Sequence, residues 1–249
     1  MEIIILIIAA FFSSTISSIL GMGGGIILLG IMAVFIPNGF MVIAMHGMIQ
    51  LISNSTRTYI FKKNIKKEII KEFIFGVIVG SIISIFIILF LINFYKVQSA
   101  SEIKVDFLKP LIGIFIFWYL FFKKSKQKKN TKSFHKVGFI SGLTSVFIGA
   151  TGPLIAPFFL KKNLLKEEII ANKAACQMIT HLTKIPIFVY FFNVNYFNEY
   201  LILIPLFVAV FIGTNFGKKV LKTIPEVVFK KIFKIALFVI AIRLILSPI

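Results

Sequence analysis

Two segments of the chain carry a polar face within otherwise apolar sequence, and the spacing of the polar positions is the same in both. The two sets lie 127 residues apart and are His46, Gln50, Asn54 and Arg57, then Lys173, Gln177, His181 and Lys184. On an α-helix, which turns about 100° per residue, each set falls within an arc of about 80°. The pattern therefore predicts two helices, each with a single polar face.

The two polar faces lie within apolar runs of membrane-spanning length, and further apolar runs of similar length come after each of them. A span needs roughly 20 residues, and the runs cover 40–61, 73–94, 169–192, 200–217 and 232–249. The chain is 58% hydrophobic and contains 30 phenylalanines, which is more apolar surface than a soluble domain can bury. The runs are too long and too uniformly apolar for the alternating strands of a membrane barrel. We therefore predict an all-α polytopic membrane protein.

The net charge of +19 arises mainly from lysines that lie between the spans. They cluster in 62–71, 123–136, 161–166 and 218–234, as the positive-inside rule expects of cytoplasmic loops. Because the lysines do not share one folded face, we predict no nucleic-acid partner. The N-terminal segment has Glu2 and no lysine, so we expect it outside. The predicted location is the cell membrane, specifically a prokaryotic inner membrane.

A second internal similarity indicates that the chain is a duplication. ILGMGGGII at 19–27 resembles FIGATGPLI at 147–155, and each segment precedes its polar helix. We predict a first repeat over 1–122, a basic cytoplasmic linker over 123–136 and a second repeat over 137–249. With the basic segments inside, each repeat is a glycine-broken hairpin plus three transmembrane helices, and the two repeats have inverted topology. Charge alone leaves open whether the hairpins cross the membrane fully.

Each hairpin is expected to turn at its glycine cluster, because glycine and proline interrupt helices there. The helix after each break would present free N–H groups and the positive end of its dipole, which suit an anion. Glycines that only allow close helix packing are the alternative. The residues concerned are Gly21, Gly23, Gly24 and Gly25 in the first hairpin, and Gly149, Gly152 and Pro153 in the second.

The ionisable residues within the predicted spans favour an anion as ligand. All nine carboxylates lie in predicted loops or at span ends, whereas a carrier of Na⁺, a metal or an amine would need a buried carboxylate. Charged groups inside a membrane are costly and usually functional. The predicted substrate-binding residues are Gly23, Gly24, Gly25, His46, Gln50, Asn54, Arg57, Gly152, Pro153, Lys173, Gln177, His181 and Lys184.

Several of these residues have a structural alternative. Arg57 and Lys173 could snorkel to the inner interface, and Gln50 and Gln177 could be hydrogen-bonding contacts between helices. The two histidines of the polar faces could be interior residues with satisfied hydrogen bonds, or they could carry protons, because histidine titrates near neutral pH. The single cysteine excludes a disulfide framework and a cysteine-rich metal site.

With these segments described, the chain resembles the sulfite exporter TauE/SafE family. The resemblance rests on LGMGGGIILLG at 20–30, on SGLTSVFIGATGPLIAPFFL at 141–160, and on the polar helix after each. It implies an integral membrane carrier of small anions, often sulfite, sulfonates or thiosulfate and sometimes organic acids, and it implies no cofactor. The second copy departs from the first, because Thr151 and Pro153 stand where the first has Gly23 and Gly25.

The leading functional hypothesis is a secondary transporter with one central site, in which the two repeats move against each other. A passive anion channel, a carrier of small organic acids and a membrane subunit of a larger complex remain alternatives. An enzyme is not favoured, because the spans contain no Ser/His/Asp arrangement, HExxH motif or aspartate pair. The predicted partners are the small anion and the lipid bilayer. The coupling ion, the direction of transport and a homo-oligomeric state stay open.

Overall fold

The computed structural model describes residues 2–36, 39–100, 133–160 and 164–246, together with Ile114 and Phe117. Over this part of the chain the predicted all-α class is confirmed. Most of residues 108–122, where the third span of the first repeat is expected, and most of the linker at 123–136 lie outside the described residues. The helices are α1 (Glu2–Leu20), α2 (Gly24–Phe35), α3 (Gly39–Ile60), α4 (Lys67–Tyr95), α5 (Phe134–Ile148), α6 (Gly152–Leu160), α7 (Lys166–Phe192), α8 (Tyr200–Leu221) and α9 (Glu226–Ile245).

Three helical segments among the described residues are long and apolar enough to cross a membrane. They are α1, α4 and the stretch Tyr196–Leu221, which contains α8. Helices α3 and α7 have sufficient length, at 22 and 27 residues, but their polar faces lower the hydropathy. Large aromatic side chains such as Phe12, Phe86 and Phe211 are exposed on the outer surface. Apolar exposure of this extent is expected of a surface in contact with lipid.

Both hairpins are broken at the predicted glycines. Helix α1 ends before Gly21, and α5 ends before Gly149. These two glycines have φ angles of 72° and 73°, in the left-handed region that glycine reaches without a steric penalty. Each hairpin therefore contains a first helix, a three-residue break and a second helix that starts at Gly24 or Gly152.

The helices pack in a reciprocal pattern that crosses the sequence halves. Helix α1 packs along α8, α4 packs along α5, and the two polar helices α3 and α7 pack against each other. Helix α2 lies against α1 and α3, while α6 lies against α7 and α9. The breaks of both hairpins are thereby brought beside α3 and α7.

Glycines allow the α4–α5 and α1–α8 pairs to approach until their backbones touch. Each of these glycines is one member of a pair separated by three residues, a motif that permits close helix contact in membranes. A Cβ atom built on any of them would overlap or crowd a backbone carbonyl oxygen of the partner helix. The glycines are Gly76 and Gly80 on α4, Gly138 and Gly142 on α5, and Gly213 and Gly217 on α8.

Candidate functional site

A small cavity lies where the two glycine breaks meet the polar faces of α3 and α7. Most of the predicted site residues are brought together in its lining, from both halves of the chain. They are Gly23, Gly25, His46, Gln50, Arg57, Gly152, Pro153, Lys173, Gln177 and His181. The remaining lining residues are Ser17, Met22, Ile26 and Ala150.

The polar face of α3 is tied to the first hairpin by hydrogen bonds to backbone carbonyls. The His46 Nε2 atom lies 2.8 Å from the carbonyl oxygen of Gly25. The Arg57 Nη1 group donates to the carbonyl of Ser17 at 3.0 Å. Arg57 is only 2% exposed, so its guanidinium lies inside the protein and does not snorkel to the membrane surface. The α3 face therefore positions one cation beside the first break.

Lys173 connects α7 to the break of the other half. Its Nζ donates to the carbonyl of Gly21 at 2.6 Å and to Oε1 of Gln177 at 3.0 Å. The Gly21 carbonyl lies at the end of α1, where carbonyl groups lack helical partners and the helix dipole is negative. Lys173 is fully buried, so it too does not snorkel. Lys173 therefore caps the C-terminal end of α1 and also forms part of the cavity wall.

Glycine leaves room for the two glutamine amides beside the second helix of each hairpin. A Cβ atom built on Gly152 would lie 2.7 Å from Nε2 of Gln177, which is too close. The corresponding Cβ on Gly25 would lie 3.4 Å from Oε1 of Gln50, an ordinary contact. The amide groups thus reach the start of α6 and of α2 from equivalent positions on α7 and α3.

Three predicted site residues are not part of the cavity lining. Gly24 packs against α1, and a Cβ there would overlap the carbonyl oxygen of Ser13. Asn54 accepts from Nη2 of Arg57 at 2.7 Å, so it orients the guanidinium. Lys184 donates to the carbonyl of Gly149 at 3.3 Å. The sequence analysis predicted all three as substrate-binding residues, and the structure places them beside the cavity, outside its lining.

Lys184 reaches the second break through a gap that Gly47 leaves on α3. A Cβ atom on Gly47 would lie 2.9 Å from Cε of Lys184. The Lys184 Nζ also lies 5.6 Å from the centre of the Phe188 ring, within the range of a cation–π contact. Lys173 and Lys184 therefore bond to the carbonyls of Gly21 and Gly149, which occupy equivalent places in the two breaks.

Polar atoms in and beside the cavity are buried without a hydrogen-bond partner. They are Nδ1 of His46, Nδ1 of His181 and Oγ1 of Thr151. The two imidazole rings lie 6.4 Å apart in an edge-to-face arrangement. An unpaired buried polar group costs about 1–3 kcal/mol. A ligand or water that bonded to these atoms would remove that penalty.

The cavity is electropositive by composition. The described residues that line it include Arg57 and Lys173 and no carboxylate. The described ion pairs, such as Lys66 with Glu168 at 3.2 Å, lie elsewhere. Among the described residues, no group of His, Cys, Asp and Glu is arranged to hold a metal ion. The available groups are cations, amides, imidazoles and backbone N–H groups, which together suit an anion.

The sequence analysis missed Met22, Ile26 and Ala150 as lining residues. Their side chains carry no polar signal, and only their position next to the glycine clusters could have indicated them. It also missed the role of Ser17, whose carbonyl accepts from Arg57. A backbone acceptor has no signature in the amino-acid sequence.

The fold and the cavity define an integral membrane protein with an electropositive site between two broken helices. The profile of the family described as "Sulfite exporter TauE/SafE" matches residues 6–244, nearly the whole chain. The chain belongs to this family, and the resemblance seen in its sequence is confirmed. The family places the protein among membrane transporters of sulfite or related anions. No curated protein and no solved structure gives a significant match to the chain.

Proposed function

We propose that the protein is a secondary transporter for a small sulfur-containing oxyanion or sulfonate, similar to sulfite or thiosulfate. The cavity is the observation that carries the proposal, because it joins both breaks and both polar helices and holds two cations without a carboxylate. An oxyanion presents negative charge and several acceptor oxygens. These match the cationic and amide donors of Arg57, Lys173, Gln50 and Gln177.

In this proposal the lining residues bind the anion and their neighbours position them. Asn54 orients Arg57, and Gly24 allows α2 to pack against α1. Lys184 holds the second break through Gly149. The start of α2 and the start of α6 add backbone N–H groups and positive helix ends on two sides of the cavity.

We further propose that the two sequence halves are inverted repeats, with the N-terminus outside and the basic loops in the cytoplasm. Equivalent hydrogen bonds support this proposal. The hydroxyls of Ser14 and Ser53 lie 3.4 Å apart between α1 and α3. Those of Ser141 and Thr180, each 127 residues further along, lie 2.9 Å apart between α5 and α7. The reciprocal packing of α1 with α8 and of α5 with α4 follows the same relation.

Transport by the purified protein in liposomes tests the proposed function. Sulfite, thiosulfate, methanesulfonate and acetate would be supplied in turn to wild type, Gln177→Ala and Cys176→Ala. We expect saturable flux of a sulfur oxyanion, reduced at least about tenfold in Gln177→Ala, because a hydrogen bond to a charged group contributes about 1.5–3 kcal/mol. Cys176 is buried on the same helix but does not line the cavity, so its variant should transport normally.

Four outcomes of this experiment would contradict the proposal. Flux of none of the anions would remove the transport function. Flux that does not saturate would indicate a passive channel. Flux that is unchanged in Gln177→Ala would mean that the cavity is not the binding site. Preference for acetate over the sulfur compounds would favour a carrier of organic acids.

We expect the histidine pair to couple transport to protons. His46 and His181 line the cavity as neighbours, and each has an unpartnered Nδ1. Glutamine at position 181 keeps a polar, hydrogen-bonding side chain but does not titrate. His181→Gln should therefore lose the stimulation of thiosulfate uptake by a pH gradient, while exchange at equal pH persists. Thiosulfate suits the measurement because it does not titrate near neutral pH.

The third histidine provides the matched control for this measurement. His135 is exposed on α5, away from the cavity, so His135→Gln should respond to the gradient as wild type does. A response to the pH gradient that survives in His181→Gln would show that the imidazole pair does not carry the coupled proton.

A further inference from the structure

Building on the proposed function, we infer that the two bodies that move against each other during transport are not the two sequence halves. One body consists of α1, α2, α3 and α8, and the other of α4, α5, α6, α7 and α9. Each body thus combines the hairpin and polar helix of one half with a long span from the other. This differs from the expectation from sequence, in which the repeats themselves were the moving units.

The first observation is that the two helix pairs that join the sequence halves, α4–α5 and α1–α8, are in close contact. In α4–α5, glycines place backbone against backbone, and Glu72 accepts from the Phe134 N–H at 2.5 Å. In α1–α8, Ser18 donates to the Thr214 carbonyl at 2.8 Å, and Thr15 donates to the Gly213 carbonyl at 3.1 Å. Moving the sequence halves apart would break both sets of contacts, and the buried Ser18 hydroxyl would lose its Thr214 acceptor.

The second observation is that two of the three apolar clusters among the described residues each lie mainly within one body. One cluster is built from α1, α2, α3 and α8, with Leu28 and Leu206 fully buried in it. Another is built mainly from α4, α5, α6, α7 and α9, with Phe73 and Phe159 fully buried. Leu221, the last residue of α8, is its one buried member from a helix of the other body. Its only buried residues that precede α4 are Met22 and Phe61, which lie outside the helices. Each body therefore has its own core, and both cores draw on both halves of the sequence.

The interface between the bodies differs in character from these cores. It runs mainly along α3 and α7, whose facing surfaces carry the polar stripes, and the cavity lies on it. It also includes a third apolar cluster, which contains Ala44 of α3 and Phe188 of α7. Water or an anion can replace the partners of polar groups, whereas an apolar core or a contact between glycine backbones loses its packing when it opens. The protein should therefore part along α3–α7, with the anion bound between the bodies.

Chemical cross-linking distinguishes the two assignments. Two aromatic contacts join the sequence halves, and each lies within a single proposed body. Phe11 and Phe216 of the first body have ring centres 6.1 Å apart, and Phe75 and His135 of the second body have ring centres 5.5 Å apart. A third contact, Phe40 with Phe192 at 5.1 Å, joins α3 to α7 across the proposed interface. Each pair would be changed to cysteines in a Cys176→Ser background, which removes the single native cysteine.

The pairs would be joined with a short thioether-forming reagent, because sulfite cleaves disulfides, and flux would be compared before and after linking. We expect the two within-body links to leave flux within about twofold of the unlinked variants. The Phe40–Phe192 link should lower flux at least about tenfold. Loss of flux with either within-body link, or full flux with the Phe40–Phe192 link, would overturn the inference.

A second readout separates this inference from the transport function. If the unlinked variants carry no tested anion, the proposed function fails, and the bodies are then defined by spin labels at the same six cysteines in lipid nanodiscs. The within-body pairs should each give one distance that pH and sulfite do not change, while the Phe40–Phe192 pair should give two distances or a shifted one. A constant Phe40–Phe192 distance with a variable Phe11–Phe216 or Phe75–His135 distance would refute the assignment.

Discussion

Replacement of Lys173 by methionine is expected to lower the flux of the transported anion by about 10- to 100-fold. The side chain is fully buried in the cavity wall, and methionine keeps its approximate length while it removes the charge and the donors. A hydrogen bond to a charged group contributes about 1.5–3 kcal/mol, and each 1.4 kcal/mol is a factor of about ten in affinity. The variant also leaves the Gly21 carbonyl without its donor. The measurement is flux in liposomes as a function of anion concentration.

Lys166 provides the control for this prediction, because it lies on the same helix, α7, two turns before Lys173. Its Nζ donates to the carbonyls of Leu221 and Ile224, and it does not line the cavity. Lys166→Met should lower stability by loosening the connection between α8 and α9, with the anion affinity unchanged. Equal losses of affinity in the two variants would contradict a binding role for Lys173, because both would then report a general effect of removing a hydrogen-bonded lysine from α7.

Replacement of Gly142 by alanine is expected to destabilise the protein by about 1–3 kcal/mol or more, the range for overpacked cores. The added Cβ would overlap the Val77 carbonyl oxygen and lie 2.9 Å from the Ser81 nitrogen. Both are backbone atoms, so relief requires α4 and α5 to separate. We expect a lower midpoint of thermal unfolding and less monodisperse protein after heating in detergent, followed by size-exclusion chromatography.

The matched control is Gly25→Ala, the same substitution at a helical glycine with ordinary space around it. Its Cβ would lie 3.4 Å from the Gln50 side chain, and alanine favours the helix over glycine by about 1 kcal/mol. The unfolding midpoint of this variant should equal or exceed that of wild type. If Gly142→Ala is as stable as Gly25→Ala, the α4–α5 pair does not depend on backbone contact.

Much of the fold could be predicted because its signals are local. The apolar runs predicted the helices to within about six residues at either end, from 40–61 against the observed Gly39–Ile60 to 73–94 against Lys67–Tyr95. The glycine clusters predicted the breaks, since the left-handed φ angles at Gly21 and Gly149 need residues without a Cβ. The packing glycines of α4, α5 and α8 were not identified, because a glycine pair in an apolar helix does not reveal which neighbour it faces.

The candidate site was predicted only up to the face of each helix. Asn54 and Arg57 share the α3 face, but Arg57 reaches the cavity while Asn54 is occupied in orienting it. Lys173 and Lys184 share the α7 face, but eleven residues separate them by about 16 Å along the helix axis. They consequently bond to different breaks, Gly21 and Gly149. Periodicity shows the direction in which each side chain points around the helix axis. It does not show which part of the protein lies opposite that side chain at its position along the axis.

The amino-acid sequence by itself determined the membrane class, the two breaks and the two cationic faces, because side-chain polarity and backbone freedom act within a few residues. It also determined the family, through the motifs at 20–30 and 141–160, and the family profile matches residues 6–244. Only the tertiary structure decided that α1 pairs with α8 and α4 with α5, and which polar residues line the cavity. Those features depend on contacts between distant segments, where close backbone approach and carbonyl acceptors select the partners.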